Sequence, residues 1–363
     1  MTERSSCIKS RPDGAIDEAR LPALRAGFEA ALREAAQYLG ATSPNPAVGC
    51  ALLDAQDRIL VVEAHHRAGT YHAEARALER ARALGVLHKA VTALVTLEPC
   101  NHTGRTPPCS EALRASPVGE VWIGARDPNP EAGGGAARLS TMPGGKTVVM
   151  LESCRALSDI HQACKALLAP FAERITRGRA WITVKQALDG RGSMIPPQGQ
   201  KTFTSEASLL LAHRLRRATD AIVTGIGTVL ADAPMLTVRR VADHDGPPRR
   251  MVVVCDRKGR LPSSWRSTLE GNGYRVVVSR SLEEVPSLLA GHGVNWAMVE
   301  AGPGLLDALD RHGLWNDWLT LRAGASGNDT VSARISARAQ GVTPLRFLLN
   351  DGFSSVSSSE AEF

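Results

Sequence analysis

The residues best equipped for chemistry lie in the first third of the chain: His72-Ala73-Glu74, then Glu98-Pro99-Cys100, then Thr106-Pro107-Pro108-Cys109. One imidazole and two thiolates suit a tetrahedral zinc whose fourth position is left to water. An open site of that kind lowers the pKa of its water toward neutrality. Glu74, close after His72, is placed to carry that water's protons and not to bind the metal. A stray histidine with two cysteines is common in proteins. Here, however, both cysteines follow a proline, and a strand leads straight into the first. No fourth protein ligand is obvious, which speaks against a closed, purely structural zinc.

These groups need elements to hold them. Leu24, Phe28, Leu32, Ala35 and Leu39 recur at helical spacing and predict an amphipathic helix ending near Gly40. Ala47–Leu53 and Ile59–Glu63 read as strands, and His72–Leu84 as a helix stopped at Gly85. Val91–Leu97 reads as a buried strand that delivers Cys100, with a short helix beginning at Cys109 and another strand at Val118–Gly124. Residues 127–146 are rich in Pro and Gly and read as loop, followed by a connecting helix at Leu151–Ile175. A second pattern starts at Ala180–Lys185. It continues with a helix at Ser205–Ala218, strands near Ala221–Gly225, Arg250–Cys255, Arg275–Ser279 and Trp296–Glu300, and a helix at Leu305–Arg311. After Leu321 the pattern weakens. Alternating strands and helices mean layered α/β domains.

At 363 residues the chain exceeds one comfortable core. The expected plan is a disordered start at 1–20, a first domain at 21–146, a connecting segment at 147–178, a second domain at 179–353 and a flexible tail at 354–363. The net charge is +6, but the basic residues are scattered, which favours a small anionic ligand over a nucleic-acid footprint. Aromatic residues make up only 4%, too few for stacked-base recognition along a strand. The 7 cysteines are irregularly spaced and odd in number, so no disulfide framework is expected and a reducing cytoplasm is the natural compartment. The polar opening residues and the lack of a long apolar run give no reason to expect a leader or a membrane partner.

The His-x-Glu and Pro-Cys layout is that of the zinc-dependent nucleobase deaminases. Those acting on cytidine or tRNA adenosine use Pro-Cys-x-x-Cys; here a longer stretch separates the cysteines and carries His102, Arg105 and Thr106, residues suited to line a substrate pocket. Three segments make the resemblance closer: Ser43-Pro44-Asn45-Pro46-Ala47-Val48-Gly49-Cys50, His65-x-x-x-Gly69-x-x-His72-Ala73-Glu74, and Thr96 through Cys109, with Asp127-Pro128-Asn129-Pro130 beyond. Together they resemble the bifunctional riboflavin-biosynthesis deaminase/reductase family. The resemblance implies a cytidine-deaminase-like three-layer N-terminal domain and hydrolytic deamination of 2,5-diamino-6-(5-phosphoribosylamino)pyrimidin-4(3H)-one. Asn45 and His102 would hold the base, and His65 would be either pocket-lining or structural.

The second half says less by itself. Gly225-Ile226-Gly227-Thr228 and Glu300-Ala301-Gly302-Pro303-Gly304 each follow a strand, where backbone amides suit phosphates. The family resemblance extends through Lys185, Asp189-Gly190-Arg191, Thr204-Ser205, His213-x-Leu215-Arg216, Asp232, Leu236-Thr237-Val238-Arg239 and Glu300. It implies a C-terminal dihydrofolate-reductase-like domain that uses NADPH to turn the ribosyl side chain into ribityl. Thr228 and Asp232 would face NADPH, and Gly302, Pro303 and Gly304 its phosphates. Arg216 and Arg239 would grip the substrate phosphate, with Lys185 and Glu300 catalytic near the ribose and Glu300 also binding substrate. A homo-oligomer is expected on the same ground. Several positions depart from the family pattern: a shortened interval between Lys185 and Asp189, Pro196-Pro197, Gln200, Thr202, Glu63-Ala64, and weak closing strands after Leu321. Gln200, Thr202 and the stretch beyond Leu321 support one alternative, a divergent paralogue that retains only deamination and serves a toxoflavin-like secondary pathway.

Overall fold

The computed structural model describes residues 17–102, 107–141, 145–196, 199, 202–245, 250–324 and 328–349. The tail expected at 354–363, most of the expected disordered start, and Arg105, Thr106, Pro197 and Gln200 lie outside them. The chain forms two compact units, one of residues up to Tyr38 with Asn45–Leu168, the other of Leu39–Pro44 with the residues from Ala169 onward.

The first unit begins with α1 (Leu21–Ala36), which buries Leu24, Phe28, Leu32 and Ala35 along one face. β1 (Gly49–Leu53) and β2 (Ile59–Ala64) form an antiparallel pair. α2 (Ala73–Ala83) is followed by β3 (Thr92–Val95), α3 (Cys109–Arg114), β4 (Glu120–Ile123), α4 (Gly135–Thr141) and β5 (Thr147–Met150). The sheet runs β2-β1-β3-β4-β5, antiparallel as far as β3 and parallel beyond. β1 and β3 are buried along their whole length, as central strands covered on both faces should be. α1 packs hard against this sheet: a Cβ on Gly49 would lie 2.0 Å from the Ala31 carbonyl oxygen.

Two elements correct the loop expected at 127–146 and the plan that ended the first domain there. Gly135–Thr141 is helical, and β5 adds a parallel edge strand. Gly135, one of the glycines that suggested a loop, serves packing, since a Cβ there would lie 1.8 Å from the Pro99 carbonyl oxygen. α5 (Ser158–Arg177) carries the chain onward, and the division between the units falls within it.

The second unit contains β6 (Trp181–Leu188), α6 (Glu206–Ala218), β7 (Ala221–Gly225), α7 (Ile226–Asp232), β8 (Met251–Cys255), α8 (Ser263–Gly271) and β9 (Arg275–Ser279). α9 (Val285–Gly291), β10 (Trp296–Val299), α10 (Pro303–Arg311), β11 (Asp317–Arg322), β12 (Thr330–Ile335) and α11 (Arg346–Leu349) complete it. The sheet order is β12-β11-β6-β10-β7-β8-β9. Every neighbouring pair is parallel except β11 with β12. β12 of that antiparallel pair is a closing strand beyond Leu321, where the sequence pattern weakens. β12 buries only Val331, so as an edge strand it carries no apolar run to read. Beneath the sheet, Asp317 accepts from Trp181 Nε1 at 3.0 Å and from the Thr183 and Thr343 hydroxyls, while Trp296 Nε1 donates to Thr183 at 2.7 Å. Burial pushes the Asp317 carboxyl up to about 6 despite these donors. Among the described residues no helix is long and apolar enough to cross a membrane.

Gly49→Ala is expected to destabilise the first unit by about 2–3 kcal/mol through overpacking against main chain. Denaturant unfolding beside the wild type measures this; an unmoved midpoint would mean that α1 is not seated directly on β1.

Candidate functional site

Three segments of the first unit deliver the candidate metal ligands. His72 is the N-cap of α2, in extended backbone, so its ring sits at the helix start and not along the helix side. Cys109 opens α3 behind Pro108, and Cys100 lies on the loop that follows β3. His72 Nδ1 stands 3.6 Å from Cys100 Sγ and 3.5 Å from Cys109 Sγ. Zinc–nitrogen and zinc–sulfur bonds of about 2.0 and 2.3 Å at tetrahedral angles require a separation of about 3.5 Å. The donor atoms are therefore already spaced for one zinc ion. The Cys109 amide donates to Cys100 Sγ at 3.3 Å. The Cys109 thiol, that amide and His72 favour the thiolate at Cys100, lowering its pKa.

Glu74 follows one turn-position into α2 and is buried, with 3% of its surface exposed. It stands outside the cluster of His72, Cys100 and Cys109 that could hold an ion. Burial pushes its carboxyl up to about 7, against the pull of His72.

Asn45 and His65 meet beside these groups. His65 Nδ1 lies 3.1 Å from the Tyr71 carbonyl oxygen, which can only accept, so Nδ1 carries the proton. Nε2 is then the acceptor for the Asn45 amide at 3.2 Å. Burial pushes the His65 pKa down to about 4, which keeps this tautomer neutral. The same histidine thus ties Asn45 to the peptide preceding His72. His102, also expected to hold the base, is exposed.

Glu98 has a role that its place in the motif did not disclose. Its carboxylate accepts from the Gly134 and Ala136 amides, each at 3.1 Å, and from the Asp127 amide at 3.3 Å. It thereby fixes the loop bearing Cys100 to the segment before α4. An acidic residue directly after the apolar run Val91–Leu97 was the available sequence signal.

In the second unit the candidate groups gather at the carboxyl ends of the parallel strands, where such sheets place ligands. Val299 pairs with Val184, so Glu300 and Lys185 emerge side by side. Lys185 Nζ is 3.7 Å from Glu300 Oε1. Arg216 Nε and Nη2 donate to the two oxygens of Glu300 at 2.6 and 3.1 Å, and Nη1 donates to the Thr237 carbonyl oxygen at 2.9 Å. Burial opposes ionisation of Glu300, but Arg216 and Lys185 outweigh it and hold its carboxyl below the usual range. Arg216 is thus engaged by protein groups, whereas Arg239 is exposed, with Nη1 3.5 Å from Thr237 Oγ1.

Thr228 and the Gly302–Gly304 turn come together through a 3.0 Å bond from the Gly302 amide to Thr228 Oγ1. Gly302 caps α10 with no side-chain partner for the first helical amides, and a Cβ on Gly304 or Gly227 would meet nothing within 4 Å. An uncapped helix start flanked by open glycines fits a diphosphate. Asp232 ends α7 and is exposed.

Comparison with known proteins agrees with both halves. The cytidine and deoxycytidylate deaminase zinc-binding region matches residues 24–125, and the RibD C-terminal domain matches residues 180–321. The riboflavin biosynthesis protein RibD of Mycobacterium tuberculosis is 36% identical over 79% of this chain and 80% of its own length. That of Corynebacterium ammoniagenes is 34% identical over 84% of this chain and 86% of its own. Among solved structures, a diaminohydroxyphosphoribosylaminopyrimidine deaminase/5-amino-6-(5-phosphoribosylamino)uracil reductase from Thermotoga maritima superposes with a TM-score of 0.72 at 27% identity, over 84% of this chain and 87% of the other. Acinetobacter baumannii RibD gives a TM-score of 0.68 at 28% identity, over 83% and 87%.

Gly135→Ala, which alters no ligand, is expected to displace the Pro99–Cys100 main chain and reduce the zinc retained on dialysis against a mild chelator. Metal analysis reads the result; full retention would show that this contact does not set the loop.

Proposed function

This chain belongs to the RibD family of riboflavin-biosynthesis proteins, with a zinc deaminase and an NADPH reductase in one polypeptide, and we propose how its own residues divide the work. His72, Cys100 and Cys109 hold zinc, which supplies an acidified water. Asn45, oriented by His65, positions the pyrimidine, with His102 closing on it. Glu74 accepts a proton from the water and returns it to the departing nitrogen. Water oxygen replaces the amine on the ring carbon and ammonia leaves, so the exchange balances as a hydrolysis. The substrate is 2,5-diamino-6-(5-phosphoribosylamino)pyrimidin-4(3H)-one.

For the second reaction, Thr228, Asp232 and the Gly302-Pro303-Gly304 turn bind NADPH, which supplies hydride to the ribosyl C1′. The ribose ring oxygen takes up a proton as the ring opens to ribityl. Lys185 and Glu300 orient the ribose hydroxyls. Arg239 meets the phosphate, with Arg216 behind it holding Glu300 as a carboxylate. We read the protein as a cytoplasmic homo-oligomer acting on this small molecule, without a nucleic-acid or membrane partner. The observation that carries the deaminase reading is the spacing of the nitrogen and the two sulfurs at 3.5 and 3.6 Å. A paralogue confined to deamination is not favoured, because the RibD C-terminal match spans residues 180–321 and both Lys185 and Glu300 are present.

The decisive assay supplies the diaminopyrimidine phosphoriboside with and without NADPH, following ammonia and NADPH absorbance together. Ammonia without NADPH and NADPH loss only after deamination are the expected results; no ammonia would refute the reading. Glu74→Gln is expected to cut ammonia release about 100-fold or more while zinc content stays unchanged. Loss of zinc in that variant would make Glu74 a ligand. Glu300→Gln is expected to slow NADPH oxidation at least about tenfold and to leave ammonia release intact. A parallel loss of ammonia release would contradict the division of labour.

A further inference from the structure

The segment between α7 and Arg240 has an unusual backbone. Ala233 and Leu236 both adopt left-handed conformations, at φ 39° and 53°, although neither is glycine. Such conformations persist only where surrounding groups enforce them. Here the enforcement is visible. Trp265 Nε1 donates to the Pro234 carbonyl at 3.1 Å and Tyr274 Oη to the Leu236 carbonyl at 3.3 Å. Arg216 Nη1 donates to the Thr237 carbonyl at 2.9 Å, and the Arg239 amide donates to His213 Nδ1 at 3.1 Å. The Leu236 side chain is buried with Trp265, Tyr274 and Val252. Arg240 turns back to an ion pair with Glu206 on α6.

His213 is the informative member of this set. It is buried, with 3% of its surface exposed, and lies one helical turn before Arg216. An Nδ1 that accepts an amide proton fixes the neutral ring with its hydrogen on Nε2. Burial and the nearby Arg216 and Arg239 push its pKa down to about 4, which keeps that tautomer through the neutral range. Its partner is the amide of the residue whose guanidinium is exposed. A core histidine filling space has no need of that particular amide.

We propose that His213 is a positioning residue for the substrate phosphate: by holding the Arg239 amide it sets the direction in which the Arg239 side chain leaves the segment, and so tunes affinity for the ribose 5-phosphate end without touching it. The proposal rests on the reductase reading above and extends it. Arg216, gripping both Glu300 and the Thr237 carbonyl, connects the same segment to the reacting end of the site.

The test compares wild type with His213→Leu, His213→Asn, Arg239→Gln and the Leu/Gln double variant, all in the full chain. Two readouts serve: KM and kcat for NADPH-dependent reduction of the deaminated substrate and of its dephosphorylated form, and the calorimetric Kd of ribose 5-phosphate. His213→Leu is expected to raise KM for the phosphorylated substrate and the ribose 5-phosphate Kd about tenfold, with kcat within about twofold. Reduction of the dephosphorylated form should be unchanged. His213→Asn, whose Oδ1 can stand where Nδ1 stood, should recover most of the loss. The double variant should be no worse than Arg239→Gln, since both act on one contact. Equal losses on both substrates, an effect on kcat alone, failure of Asn to rescue, or additive losses would overturn the proposal. If His213→Leu does not fold, His213→Gln, whose amide group stands where Nε2 stood and leaves the Arg239 amide without its acceptor, takes its place with the same expected losses and the same rescue by His213→Asn. Arg239→Gln without effect would bring down the phosphate assignment beneath the proposal, whereas an effective Arg239→Gln with a silent His213→Leu brings down the proposal alone. A wild type that oxidises no NADPH refutes the reductase reading, and the ribose 5-phosphate affinities then still judge the role of His213.

Discussion

A carboxylate with three main-chain amides around it holds the first site together. Glu98 sits at the end of β3, and its acceptors are filled from the segments that follow β4. Placing charge there is tolerable because each oxygen receives amide protons. The gain is geometric. Cys100 follows Glu98 closely, so the sulfur inherits a position fixed by hydrogen bonds and by the close approach of Gly135 to the Pro99 carbonyl. The imidazole nitrogen of His72 lies at ligand spacing from both sulfurs, at 3.6 Å from Cys100 and 3.5 Å from Cys109.

The second unit solves a comparable problem with charge in place of amides. Glu300 is largely buried and stays ionised because Arg216 engages both of its oxygens and Lys185 stands close by. Removing Arg216 would leave this buried charge with only Lys185 at 3.7 Å, an expensive state. The parallel pairing of β6 with β10 puts Lys185 and Glu300 side by side, while α6 reaches over with Arg216. Strand register and one helix face therefore determine the electrostatics together.

These arrangements differed in how far they could be read from the chain. His72, Glu74, Cys100 and Cys109 stood out in the sequence because metal ligation and proton transfer allow few residue types, and the structure brings His72, Cys100 and Cys109 together. α4 and β5 were not, since glycine carries one appearance for two causes. At Gly135 it marks a main-chain contact inside a folded element and not a turn. β12 was hidden because an edge strand with one buried side chain has no hydrophobic signature. The work of Glu98 and His213 was invisible for another reason: each acts on backbone amides distant in sequence, and amides have no identity in a sequence. Arg216 was expected to act on substrate, but its engagement by Glu300 and Thr237 depends on where α6 lies against the sheet.

The short stretch from Lys185 to Asp189 takes on meaning from β6. That strand stays paired with β11 through Leu188, and Asp189 then caps a tight turn by accepting from the Arg191 and Ser193 amides. Because consecutive side chains of a strand point to opposite faces, removing an even number of residues preserves parity. A change of length within β6 is therefore tolerable in pairs, whereas an odd one would turn Lys185 to the opposite face from Glu300.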